Sequence, residues 1–193
     1  MAKRFFNNIL EQVRKREQKI GFSGWFSKLE KEIRHRRNPH LTVKDRVEFT
    51  HKILKNFLKD KGTIIDIGIS TGETTEFLQK AFQNYKIIGT EIDETTLRKA
   101  EGNLSETDIV VSPYDFTSKE RPPFENIDAV RSCHMFFYLS KEEKERFFRN
   151  AFKALKPDGI LLLTFGFRSI LLKKKNKKFK LFGLYSQDER TDI

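Results

Sequence analysis

Three carboxylates, two glycines and two side chains able to bind or move a proton recur along one stretch of this chain at spacings suited to holding a ligand. In GTIIDIGISTGETTEFL, Asp66 precedes Gly68, Ser70 and Gly72, and a run with helical spacing follows. Glycine admits positive φ and lets backbone approach a ligand closely. The helix that starts after the turn offers unpaired amides. The spacing is G-x-x-x-G, not the G-x-G-x-x-G that cradles a pyrophosphate. A carboxylate just ahead of the turn would repel pyrophosphate and suit a cationic group. IIGTEID then ends an apolar run at Glu91, followed by Ile92 and Asp93. The two oxygens of a carboxylate can accept from two adjacent hydroxyls, such as those of a ribose; Asp93 is the neighbouring alternative. VVSPYDF supplies Asp115 and Phe116, and SCHMFFYLS supplies His134 and Tyr138. Imidazole titrates near neutral pH, so His134 is a candidate base, and Tyr138 a candidate to position a substrate.

These residues need a scaffold that brings chain-distant turns to one place. Short apolar runs at 63–67, 85–90, 109–112, 127–132 and 160–165 read as buried strands. Helical spacing at 73–82, 94–101 and 141–155 separates them, the last helix stopped by Pro157-Asp158-Gly159. Strands alternating with helices predict an α/β fold with a doubly wound, mostly parallel sheet. Ligands of such sheets sit beyond the carboxyl ends of the strands, where Gly68, Glu91 and His134 fall. A helix carrying Val47, Phe49, Ile53, Leu54, Phe57 and Leu58 leads into the first strand.

With Asp66, Gly68, Gly72 and Glu91 in this order, the chain resembles the class I, Rossmann-fold S-adenosylmethionine-dependent methyltransferases. Their first motif is D/E-x-G-x-G-x-G, with Ser70 here in place of the middle glycine. The stretch IDAVRSCHMFFYLSKEEKERFFRNAFKALKPDGILLLTF resembles the fourth strand, following helix and fifth strand of that family. The resemblance covers about 120 residues and implies the cofactor S-adenosylmethionine. It implies a cofactor site of Asp66, Gly68, Ser70, Gly72, Glu91, Ile92, Asp115, Phe116 and Ser132. Glu91 would hold the ribose hydroxyls, and Asp115 would accept from the adenine amino group. The methyl acceptor is not legible, and His134 and Tyr138 are the catalytic candidates.

Composition sets the remaining bounds. No apolar run approaches the ~20 residues of a membrane span, and the start, MAKRFFNNIL, lacks the apolar stretch of a signal peptide. One cysteine, Cys133, excludes an intrachain disulfide and a cysteine-rich zinc site, and no metal is expected. A reducing, cytoplasmic compartment follows as the expectation. The net charge of +11 is unevenly spread. Residues 1–46 carry 13 Lys/Arg against 5 Asp/Glu, residues 166–193 carry 8 against 3, and the middle carries 17 against 19. The expected organisation is a basic helical extension over 1–44, a Rossmann domain over 45–166, and a shortened C-terminus whose residues 167–193 form a basic hairpin or tail. Basic flanks suggest an acidic partner. RNA is favoured, with Trp25, Phe26 and Phe179 as stacking candidates beside the lysines of 173–180. An anionic membrane surface, engaged through FSGWF, is the rival. An RNA or RNA-associated acceptor, a small-molecule or lipid acceptor, and a non-catalytic component of a ribonucleoprotein are the functional alternatives.

Overall fold

A computed structural model describes residues 43–165 and 168–186. The expected N-terminal helices, with Trp25 and Phe26, lie outside the described residues.

Helix α1 (Val43–Lys55) turns Val47, Thr50, His51 and Leu54 inward, the i, i+3, i+4, i+7 face of a helix. Strand β1 (Gly62–Ile67) follows and occupies the middle of the sheet, where Ile64 and Ile65 are fully buried on its two faces. Helix α2 (Glu73–Ala81) starts at Gly72, and β2 (Tyr85–Thr90) pairs parallel with β1 along its whole length. Helix α3 (Glu94–Asn103) is capped by Asp93, whose carboxylate accepts the Thr96 amide at 2.8 Å. Strand β3 (Val110–Ser112) adds to β2, and β4 (Ile127–Cys133) pairs parallel with the other side of β1. A single 3-10 turn, Phe136–Tyr138, leads to α4 (Lys141–Ala154). Ser140 and Glu143 close the start of α4 as a reciprocal capping box.

Three further strands complete the sheet: β5 (Leu155–Phe165) parallel to β4, then β6 (Arg168–Lys175) and β7 (Lys178–Ser186) as an antiparallel meander. The order is β3-β2-β1-β4-β5-β6-β7, four parallel and two antiparallel pairings in one seven-stranded sheet. One face packs on α4 through Phe147, Phe148, Ala151 and Ala154. The other carries Ile64, Ala129, Leu162 and Leu171 against Ile53, Leu54 and Leu78 of α1 and α2. Residues 168–186 are therefore built into the same sheet as β1.

The lysine run of this hairpin is less free than its composition implies. Lys173 and Lys175 both pair with Asp158. Lys174 donates to the carbonyls of Phe152, at 2.7 Å, and Leu155, with its ammonium over the Phe152 ring. Phe179 is 1% exposed and packs edge-on to Phe152, so it is a core residue and has no face to offer a nucleobase. That corrects its reading as a stacking residue: strand alternation turns Phe179 inward and leaves Lys178 and Lys180 outside.

His51 is buried, edge-on to Phe82, and among the described residues its Nε2 has no hydrogen-bond partner. Burial, with the charges of Arg131 and Lys55, lowers its pKa from 6.5 to about 3. Between these values the unfolded chain binds a proton that the folded chain refuses, so stability falls as pH falls. Urea unfolding should show His51 contributing a slope of up to about 1.4 kcal/mol per pH unit in this window. His51→Phe should flatten the profile; an unchanged slope would exclude His51 as its source.

Candidate functional site

Parallel pairing brings the carboxyl ends of β1, β2 and β4 side by side, with Ile67 opposite Thr90 on one side and Ser132 on the other. The segment after β1 is folded onto the end of β2. The amides of Gly68 and Ile69 donate to the Thr90 carbonyl at 2.8 and 3.1 Å, and the Ser70 amide donates to Glu91 Oε2 at 2.9 Å. Glu91 Oε1 accepts the amides of Ile92 and Asp93 at 2.8 and 3.1 Å. Gly68, Ser70 and Gly72 all have positive φ, at 72°, 53° and 92°. A Cβ on Gly72 would come within 2.8 Å of Leu104, so the turn needs glycine for space as well as for φ.

A cavity of about 380 Å³ opens at these strand ends, within the range of small-molecule sites. Gly68, Glu91, Ile92, Asp115, Phe116, His134 and Tyr138, seven of the eleven residues singled out by sequence, line it together. Thr90, Tyr114, Thr117, Cys133, Met135, Leu139 and Glu143 also line it. Tyr138 is 86% and Ile92 63% exposed, so both stand at the mouth, whereas Phe116 is buried in the wall. Asn150 of α4 fixes that wall by donating to the carbonyls of Phe116 and Ser118. His134 sits just past β4 with φ of 63°, its amide bonded to the Thr164 carbonyl. A non-glycine residue in this region is a strain that surrounding structure must hold.

Ser70 and Gly72 belong to the turn and do not reach the lining. Asp66 is set differently from the expectation. It is 2% exposed, on the α1–α2 face of the sheet, and does not line the cavity. Its Oδ2 accepts the Thr75 hydroxyl at 2.9 Å, and its Oδ1 lies 3.6 Å from Arg131 Nε. Burial raises its pKa above the usual aspartate value, against the opposing pull of Arg131 and Thr75. Ser132 is buried beside the cavity, and among the described residues its hydroxyl has no partner. Asp115 takes up the amide and hydroxyl of Thr117. Glu91, expected to accept from two hydroxyls, already accepts three amides. A carboxylate has about four acceptor positions, so one remains, on Oε2.

Arg131 was missed by sequence reasoning, which had no reason to place a guanidinium inside a sheet. It is fully buried, in register with Asp66, and its Nε donates to Cys133 Sγ at 2.9 Å. Cys133 is half-buried and lines the cavity, and burial pushes its thiol pKa up.

Residues 64–159 match the family model described as a methyltransferase domain. The chain is 26% identical over 128 residues to a carboxy-S-adenosyl-L-methionine synthase of Nautilia profundicola, covering 63% of this chain and 51% of that protein. It is 29% identical over 120 residues to a phosphoethanolamine N-methyltransferase of Plasmodium falciparum, covering 61% and 44%. The chain thus spans about half the length of these curated relatives. A TehB-like SAM-dependent methyltransferase of Corynebacterium glutamicum superposes with a TM-score of 0.51 at 18% identity, over 58% of this chain and 59% of that one, a likeness of fold.

The turn itself can be tested through its glycines. Gly72→Ala should cost about 1–3 kcal/mol, the cost of forcing a side chain into this backbone region, with the clash against Leu104 added. Gly102→Ala, in α3 with nothing within 4 Å of its Cβ, should instead stabilise by roughly 0.5–1 kcal/mol. Chemical denaturation reads both, and equal effects would refute the special role of the turn.

Proposed function

We propose that this chain, which belongs to the class I S-adenosylmethionine-dependent methyltransferases, binds S-adenosylmethionine in the cavity at the ends of β1, β2 and β4 and methylates an acceptor there. The observation that carries this reading is the glycine turn pinned to Thr90 and Glu91 at the cavity floor. The donor set fits the cofactor. Glu91 lines the cavity and keeps one acceptor position for a ribose hydroxyl. Ile92, exposed at the mouth, offers apolar surface for a purine, the buried Phe116 backs that wall, and Asp115 lies beside it.

Bound there, S-adenosylmethionine would supply a methyl group on a positively charged sulfur. Proximity and alignment account for much of the acceleration such a transfer needs. The residues assigned to this are those past β4. His134, held in its strained backbone conformation, takes a proton from the acceptor or orients it. Tyr138 meets the acceptor at the mouth. Gly68, Ser70 and Gly72 shape the turn, and the buried Ser132 and Asp66 support the floor from beneath.

The acceptor class we favour is RNA or an RNA-associated protein, because of the basic flanks; a small molecule or lipid is second. A non-catalytic methyltransferase-like component of a ribonucleoprotein is the reading from another class. Topology bears on the first. Ile160 pairs with Lys173 and Thr164 with Ser169, so β6 runs its lysines away from the cavity. The four residue steps from Ser169 to Lys173 span roughly 13 Å of strand. An RNA held by the hairpin tip therefore has to reach around the sheet to present an acceptor, and the tip lysines serve as a tether.

Calorimetry with S-adenosylmethionine and S-adenosylhomocysteine tests the reading. Glu91→Ala should weaken binding ten- to a hundredfold, since charge-assisted hydrogen bonds contribute about 1.5–3 kcal/mol each and ~1.4 kcal/mol is tenfold. Unchanged affinity in a folded variant would overturn the assignment of Glu91, and no binding to the unaltered chain would overturn the cofactor.

For the tether, replacing Lys177, Lys178 and Lys180 with Gln should weaken binding to single-stranded RNA. It should also flatten the plot of log affinity against log salt by ~0.7 for each phosphate no longer neutralised. Binding to anionic vesicles instead, with none to RNA, would assign the basic surface to a membrane.

A further inference from the structure

Beneath the cavity floor lies a charge that the proposed function leaves unused. Arg131 is fully buried on the α1–α2 face of β4. Its Nε contacts Cys133 Sγ, and among the described residues its Nη1 and Nη2 have no hydrogen-bond acceptor. Among the described residues the one carboxylate beside it is Asp66, 3.6 Å away and itself only 3% exposed along its side chain. Other groups packed around the pair do not compensate a positive charge. Thr75 of α2 is neutral, His51 of α1 is kept neutral by burial, and burial favours the neutral thiol of Cys133. The pair lies directly under the floor. Asp66 is two residues before Gly68, and Cys133, which touches the guanidinium, lines the cavity.

We propose that the buried Arg131–Asp66 pair sets the charge of the cavity floor and thereby the preference for the sulfonium donor over its uncharged product. The inference rests on the cofactor reading above. S-adenosylmethionine and S-adenosylhomocysteine share the adenosine and the zwitterionic amino acid end, and differ by one methyl group and one positive charge on sulfur. With Asp66 ionised the floor is neutral and the donor is accepted. With Asp66 protonated or removed, Arg131 stands uncompensated, and in a low-dielectric floor it opposes the donor more than the product. With both charges removed, the floor is neutral again and the donor is accepted as before. A structural defect has a different signature: it weakens both ligands together.

The test is the ratio of the two dissociation constants, measured calorimetrically on the full chain, with melting temperature recorded for each variant. Asp66→Asn should shift the ratio against S-adenosylmethionine by on the order of tenfold at neutral pH. Arg131→Met combined with Asp66→Asn should restore it. For the unaltered chain the ratio should move against S-adenosylmethionine as pH falls. The sign follows from Asp66 binding its proton above the usual aspartate range, because of burial. Asp66→Asn should remove that phase. Ratios that match the unaltered chain in both Asp66→Asn and the double variant, whatever the loss in absolute affinity, would overturn the proposal. So would a pH phase that survives Asp66→Asn in full. If the unaltered chain binds neither ligand, the cofactor reading falls first and this inference with it.

Discussion

Five backbone amides converge on two consecutive residues, and the site depends on that convergence. Gly68 and Ile69 donate to the Thr90 carbonyl, and Ser70, Ile92 and Asp93 donate to the Glu91 carboxylate. Three of these bonds, from Gly68, Ile69 and Ser70, join the end of β1 to the end of β2 after the sheet ladder has stopped. Without them the turn would expose amides at a cavity wall, where unpaired polar groups are costly. The positive φ values at Gly68, Ser70 and Gly72 follow from this arrangement, since the chain must double back within a few residues to bring its amides to one place.

Much of this was legible in the sequence. The run YKIIGT gave a strand with the bounds observed, 85–90, because apolar residues flanked by turn residues leave little ambiguity in a short buried strand. The cavity wall from Glu91 to Phe116 and the rim from His134 to Tyr138 were likewise placed by their positions just past strands. What escaped was set by which face of a strand a residue occupies, and by what lies across it. Asp66 looked like a ligand-facing carboxylate because it precedes the glycine turn, yet pleat alternation sends it to the side where Thr75 and Arg131 wait. Arg131, inside IDAVRSC, gave no sign of burial, since a guanidinium is seldom enclosed without a partner.

Charge tells a similar story. A run such as KKKNKKFK reads as a single basic patch, but β-strand alternation divides it. Lys174 is drawn under α4 to carbonyl groups, Lys173 and Lys175 share Asp158, and Phe179 enters the core. The cavity, by contrast, is lined by Glu91, Asp115 and Glu143 with no lysine or arginine among its described lining residues. Acidic cavity and basic hairpin tip therefore occupy opposite ends of the same sheet.

The meander at the end of the chain also shapes how the sheet can be assembled. β5, β6 and β7 are neighbours in sequence and in space, and the β6–β7 turn spans only Asn176 and Lys177. Closing such a hairpin takes microseconds and little chain entropy. The central β1–β4 pairing, which joins Ile64 to Ala129, must instead close a loop containing two helices and two strands. The edge farthest from the cavity is thus the part that can nucleate locally. The floor beneath the glycine turn is formed by the longest-range contact in the parallel half, and it awaits the slower search.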